Sequence, residues 1–202
     1  GTKIDDEKDR VEFEDKRVDR EEEMIYLMLN KPPGYLVTLM DPFKRPTIKE
    51  LLPSLKERIY PVGRLDYDSE GLLLLTNNGE LAHRLAHPRY RVPKNYVVEV
   101  KGVPESSRIS RLERGVYLDG KKTAPARIAK LRGSAKKTLF RIEIHEGRKR
   151  EVKRMFEAVG HRVLRLKRIG FGGMRLGKLQ TGKWRFLTQK EVDSLKSKVD
   201  LV

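Results

Sequence analysis

The stretch Tyr60-Pro61-Val62-Gly63-Arg64-Leu65-Asp66-Tyr67-Asp68-Ser69-Glu70-Gly71-Leu72-Leu73-Leu74-Leu75-Thr76-Asn77 sets an acid-rich turn between two apolar segments. Val62 to Leu65 reads as the end of a short strand. Leu72 to Leu75 reads as a buried strand, because four consecutive leucines cannot share one exposed face. A carboxylate on a tight turn beside such a strand is fixed by its scaffold, which is what a reacting group requires. By spacing alone Asp66 and Asp68 are equal candidates, and either can instead do no more than stabilise the turn. The run also begins like a calcium loop, Asp66-x-Asp68-x-Glu70-Gly71. Its twelfth position is Asn77 rather than Glu and leucines precede it, so no calcium site is expected.

Working outward, Met24 to Asn30 reads as a buried strand ended by Lys31-Pro32-Pro33-Gly34. Thr47 to Arg58 has helical spacing in Ile48, Leu51, Leu52 and Leu55. Asn78 is placed to cap a helix through Ala86 that Pro88 stops. Tyr96 to Val100 alternates as a strand, and Pro104 to Arg114 reads as a helix ended by Gly115. In Thr138 to Ile144, Phe140, Ile142 and Ile144 alternate with polar residues, as in a half-buried strand. Lys149 to Val159 is the clearest helix: Val152, Met155, Phe156 and Val159 form one face, and Gly160 follows as a stop. Val163 to Ile169 is expected as a strand with its basic residues on the polar face. A short strand, Trp184 to Leu187, and a helix capped by Thr188 and running through Lys196 complete the chain. Strands and helices mix without a regular βαβ repeat, so the fold class predicted is α+β with a largely antiparallel sheet.

The chain has 202 residues and a formal net charge of +16, unevenly spread. Residues 1–24 carry six Lys/Arg and eleven Asp/Glu, leaving 39 basic against 18 acidic side chains in residues 25–202, a net of +21. Such a body attracts polyanions, nucleic acid first. There is no cysteine, so disulfides and thiolate metal sites are excluded. His83 and His87 are four residues apart but have no third ligand at metal spacing. No apolar run approaches a membrane span and no signal peptide is evident, which makes the cytoplasm the expected location.

Gly63-Arg64-Leu65-Asp66, followed by Ser69-Glu70-Gly71 and the leucines through Leu85, resembles the catalytic signature of the bacterial ribosomal RNA pseudouridine synthases. The resemblance runs from about Met24 to Asp193. It implies an α+β catalytic domain, residues 25–195, of two half-domains (about 25–95 and 96–195) around a continuous, mainly antiparallel sheet, with flanking helices and a central cleft. Residues 1–24 resemble the last hairpin and linker of a small preceding RNA-binding domain, expected to be mostly absent from the chain, and 196–202 would be a tail. The implied reaction is the isomerisation of uridine to pseudouridine with no cofactor and no metal. The implied partner is structured ribosomal RNA with a flipped-out uridine, naked or in a pre-ribosomal particle, met by a monomer and without a membrane.

The resemblance also distributes roles. Asp66, last residue of the Gly-Arg-Leu-Asp motif, becomes the catalytic carboxylate. Lys153, closing the motif that begins at Glu146, becomes the cation that keeps Asp66 ionised. Tyr96 stacks on the target base and Leu166 packs beneath it. Arg64 fills the space the uridine leaves or binds a flanking phosphate, and the basic segment carrying Arg148, Arg150 and Arg154 holds RNA. Read without the resemblance, Tyr96 and Leu166 are half-buried and core strand residues, and the basic segment is a solvated phosphate-binding face. Many relatives carry His-Gln where this chain has Arg150-Glu151. With Asp41-Pro42-Phe43-Lys44-Arg45-Pro46-Thr47, this points to the branch acting on large-subunit RNA. Two other readings of the residues are a non-catalytic ribosome-assembly protein and a metal-dependent nuclease using Asp66, Asp68 and Glu70.

Overall fold

The computed structural model describes residues 23–201, together with a ladder pairing the backbones of Glu12–Phe13 and Lys16–Arg17. The hairpin and linker expected over 1–24 otherwise lie outside the described residues. In chain order the main elements are β1 (Tyr26–Lys31), β2 (Tyr60–Pro61), β3 (Glu70–Thr76), α1 (Gly79–Ala86), β4 (Lys94–Lys101) and α2 (Ser106–Glu113). They continue with β5 (Arg127–Gly133), β6 (Lys137–Ile144), α3 (Glu151–Ala158), β7 (Val163–Phe171), β8 (Met174–Arg175), β9 (Trp184–Phe186) and α4 (Gln189–Ser197).

The nine strands form one sheet in the order β9–β1–β3–β7–β4–β6–β5, with β2 beside β3 and β8 beside β7. Every pairing in it is antiparallel except β3 with β7. The run of leucines follows from this position. Successive side chains of a strand point to opposite faces, and β3 is covered on both. Leu73 and Leu75 join Leu27, Val98, Phe140 and the α3 residues Met155 and Phe156 on one face. Leu72 and Leu74 join Met28, Leu81 and Leu85 of α1 and Leu195 of α4 on the other.

The parallel seam is short, pairing Lys167 with Glu70 and Arg168 with Gly71. Gly71 has φ +108, and a Cβ on it would lie 2.1 Å from the Arg168 carbonyl oxygen. Only glycine lets the two strands approach so closely. The seam begins one residue after the acid turn ends, so the joint between the two parts of the sheet also locates that turn.

Helix α3 matches its predicted face: Val152, Met155, Phe156 and Val159 are buried. Past its end, Gly160 adopts φ +83 and the His161 N–H returns to the Phe156 carbonyl. Asn78 accepts from the Leu81 N–H to start α1, and Thr188 caps α4.

Three expectations are corrected. Thr47 to Arg58 yields one 3-10 turn, Ile48–Leu51. Leu52 precedes Pro53 and is extended (φ −95, ψ 155), since the ring of a proline disfavours a helical residue before it. Residues 174–195, expected in the second half, return to the first: β9 pairs with β1, and Met174, Leu176 and Leu195 pack with Met28 and Leu72. Nor are residues 196–201 a free tail, because Val199 is fully buried in that cluster and the Arg84 guanidinium donates to its carbonyl.

Candidate active site

The acid turn is built from below. The Val62 N–H reaches the Leu74 carbonyl at 2.8 Å, and the Ser69 N–H closes a turn onto the Asp66 carbonyl at 3.0 Å. Lys31, the last residue of β1, is fully buried beneath it. Its ammonium donates to the carbonyls of Pro32 (2.9 Å) and Ser69 (2.8 Å), with longer contacts to Asp66 (3.3 Å) and Tyr67 (3.4 Å). Burial pushes the Lys31 ammonium down to about 8, against the pull of the Asp68 and Asp66 charges. The sequence reading took Lys31 as a strand end and missed this role. The available signal was a lysine closing an otherwise apolar buried strand.

The opposite wall comes from α3 and the loop before it. Arg150 adopts a left-handed conformation (φ 53) immediately before the helix. That start aims Lys153, 5% exposed, inward from the edge of the apolar face. Its ammonium lies 3.5 Å from Asp66 Oδ2 and hydrogen-bonds Asp68 Oδ1. The expected approach of Lys153 to Asp66 is present, with Asp68 as the tighter partner. Burial opposes the charge on Asp68, and the Lys153 ammonium outweighs it, so this carboxyl sits below its usual range. The two aspartates differ in outlook: Asp68 is 59% exposed at the rim, whereas Asp66 is 30% exposed and lines the cleft. Glu70 turns away to an ion pair with Arg165.

Arg64, Tyr96, Leu166, Arg148 and Arg150 line the same cleft as Asp66. Leu166 stands opposite Val98, and Arg168 opposite Tyr96, in the β7–β4 ladder. Tyr96 and Leu166 are therefore diagonal neighbours on one sheet face. Arg154 is not brought in: it pairs with Asp119. The Arg148 guanidinium is engaged by Glu146 and by the carbonyls of Lys121 and Lys122, so it clamps the loop before α3 onto the neighbouring Tyr117–Lys122 hairpin.

Three lining residues went unnoticed in the sequence. Arg168 was expected on the polar face of β7, but the alternation that buries Leu166 also buries Arg168. Its Nε donates to the Leu72 carbonyl at 2.7 Å and its guanidinium lies 5.0 Å over Phe171. Burial likewise pushes the Lys94 ammonium down to about 8. Glu151 is buried with Oε2 accepting from the Arg148 N–H, while Oε1 meets no donor among the described residues. Its neighbour is the Glu146 carboxyl. Burial, then that neighbour, raises the Glu151 carboxyl to about 8.

The sequence profile of RNA pseudouridylate synthase matches residues 25–158, from β1 through α3. This chain belongs to that family. Among its synthase relatives, an uncharacterized RNA pseudouridine synthase of Aquifex aeolicus (strain VF5) is 46% identical over all of this chain and 81% of its own length. The ribosomal large subunit pseudouridine synthase B of Bacillus subtilis (strain 168) is 44% identical over 95% of this chain and 79% of its own length. A crystal structure of a pseudouridylate synthase superimposes with TM-score 0.78 at 35% identity, covering 96% of this chain and 83% of the other. The synthase likeness thus continues past α3 through the segment that returns to β1. Uridine isomerisation in RNA is accordingly the activity of the fold built around this cleft.

Proposed function

We propose that this synthase acts on ribosomal RNA, with a large-subunit uridine as its target, and that Asp66 carries the chemistry. What supports the reading is one juxtaposition: a cleft-lining carboxylate beside a buried ammonium, above a floor that presents an aromatic and an aliphatic side chain. Diagonal neighbours in a sheet stand about 7–8 Å apart, so Tyr96 and Leu166 offer one continuous apolar surface to a flat ring. Base stacking on such a tyrosine contributes about 1–3 kcal/mol. The uridine leaves its stack to enter, at a cost of a few kcal/mol, and Arg64 and Arg150 meet the flanking backbone.

In the reaction the bond from uracil N1 to the ribose breaks, the base turns within the cleft, and its C5 bonds to the same sugar carbon. C5 then loses its proton and N1 gains one, so nothing is added or removed overall. Asp66 either attacks the sugar carbon as nucleophile or takes a proton from the adjacent one. Lys153 holds a positive charge 3.5 Å from it in either route. The proposed setting is a monomer in the cytoplasm, on naked RNA or a pre-ribosomal particle.

The test is pseudouridine mapping on unmodified small- and large-subunit RNA, and on pre-ribosomal particles, in EDTA. The wild type should mark one large-subunit site, Asp68→Asn should still mark it, and Asp66→Asn should not. Full activity in Asp66→Asn with loss in Asp68→Asn would reverse the assignment. Cleaved RNA, or a requirement for Mg²⁺, would replace it with the nuclease reading.

A further inference from the structure

Beside the acid turn stands a loop that the isomerisation does not use. Its root is a bridge between Leu36 and Thr47, with the Leu36 N–H on the Pro46 carbonyl at 2.9 Å. Two residues before the root, the Gly34 N–H donates to the Tyr67 carbonyl at 2.7 Å, and Tyr67 follows Asp66 directly. The loop and the acid turn therefore share an anchor.

The interior of the loop is organised around Asp41. Its Oδ2 accepts from the backbone N–H groups of Phe43 (3.1 Å) and Arg45 (3.0 Å) and from Arg45 Nε (3.2 Å), while its Oδ1 accepts from Arg45 Nη2 (2.7 Å). Lys44 adopts a left-handed conformation (φ 55) to close this ring of bonds. The Arg45 hydrogen bond holds the Asp41 carboxyl at about 2, so the ring persists at any physiological pH. What all this displays is Phe43, which is 76% exposed with the Arg45 guanidinium 5.2 Å over its ring, beside the exposed Met40. A phenylalanine left in water forgoes the gain of burying its ring. A backbone fixed to keep it there is prepared for a contact.

We propose that Phe43, backed by Arg45, is a stacking platform for an unpaired RNA base flanking the target uridine. The inference rests on the proposed function. RNA is favoured over an apolar protein partner by charge: the aromatic is flanked by Lys44 and Arg45, Arg64 lies on the neighbouring turn, and residues 25–202 carry a net of +21. RNA is read mainly at unpaired nucleotides whose bases stack on aromatic side chains or arginine planes. A rim platform beside the cleft can decide which uridine is presented without touching the reacting atoms.

The experiment uses the full chain and the large-subunit RNA segment located by mapping, intact or with abasic sites on either side of the uridine. Phe43→Ala should weaken binding of intact RNA about 5- to 100-fold. Its single-turnover rate at saturating RNA and its salt slope should match the wild type, because no phosphate contact is lost. Phe43→Trp should restore affinity to within about threefold, since indole stacks as well. One abasic position should weaken the wild type as much as Phe43→Ala does and leave Phe43→Ala itself unaffected, the non-additivity of a shared contact. Unchanged affinity in Phe43→Ala, or additive losses at every abasic position, overturns the platform. So does a loss that Phe43→Trp does not restore. Wild-type protein that forms no pseudouridine on any RNA defeats the functional reading instead, which separates the two failures.

Discussion

The two walls of the cleft are held in place by different chemistry. The acid turn is held through its backbone: its carbonyls are satisfied by one buried ammonium, and a glycine seam packs it against β7. The loop before α3 rests on charged side chains: Glu146, Glu151 and Arg148, with Lys94 near enough for the Glu151 charge to act on it. The wall that carries the proposed reacting group is thus held through its backbone, and the wall that supplies its counter-charge through charged side chains. Perturbing each wall in turn tests this contrast.

The largest effect is expected at the seam. Gly71→Ala drives a Cβ into the Arg168 carbonyl at a positive φ, a strain of at least several kcal/mol. Soluble expression and cooperative melting should both be lost. A variant melting within a few degrees of the wild type would show that the seam is not rigid. Next comes Lys31→Met, which leaves buried carbonyls of the acid turn without a donor. The expected cost is about 2–4 kcal/mol, read as a fall in Tm of roughly 5–15 °C, with activity impaired even where the protein is still folded.

The third prediction is a pH dependence. The Glu151 carboxyl is raised from 4.5 to about 8 in the folded chain. Between those values the folded state keeps a proton that the unfolded state has released. This contribution to stability is therefore complete below about pH 4.5, declines as pH rises, and is gone above about 8. Lys31 has the opposite sign. Its ammonium is lowered from 10.5 to about 8, so the unfolded state binds the extra proton between those values and stability from this group rises with pH there. Glu151→Gln replaces the raised carboxyl with an amide that does not titrate. Melting and turnover followed from pH 5 to 9 should become flatter than in the wild type. Profiles that superimpose would remove Glu151 from the account. The smallest effect belongs to Arg154→Ala, whose partner Asp119 is 79% exposed. Exposed pairs contribute about 0–1 kcal/mol, and RNA affinity should change less than threefold; a larger loss would extend the RNA path to that side of α3.

The sequence made one wall more legible than the other. Four leucines in a row and a clean helical face at Val152, Met155, Phe156 and Val159 have few alternative readings, and they locate β3 and α3 directly. Lys153 was placed by the motif and its position on that face. Lys31, Arg168 and Glu151 were not legible as buried groups, because a charged residue in sequence signals solvent. What buries them is long-range pairing, Arg168 against Tyr96 and Gly71, that no local pattern records. Arg168 was the nearest to detection, sharing the parity of Leu166. The helix expected after Thr47 failed on a local signal, Pro53, that hydrophobic spacing outweighed in the reading.

The return of the chain to β1 bears on how this protein comes into being. Trp184 pairs with Leu29, and Leu195 and Val199 cover the side of the sheet that Met28, Leu72 and Leu74 present. During synthesis, the strands that carry the acid turn keep an open edge and a bare apolar face until residues 184–199 leave the ribosome. Long-range pairings of this kind form slowly and leave sticky intermediates. A premature stop after Phe171 would spare every residue proposed for catalysis and still leave the acid turn without a finished scaffold.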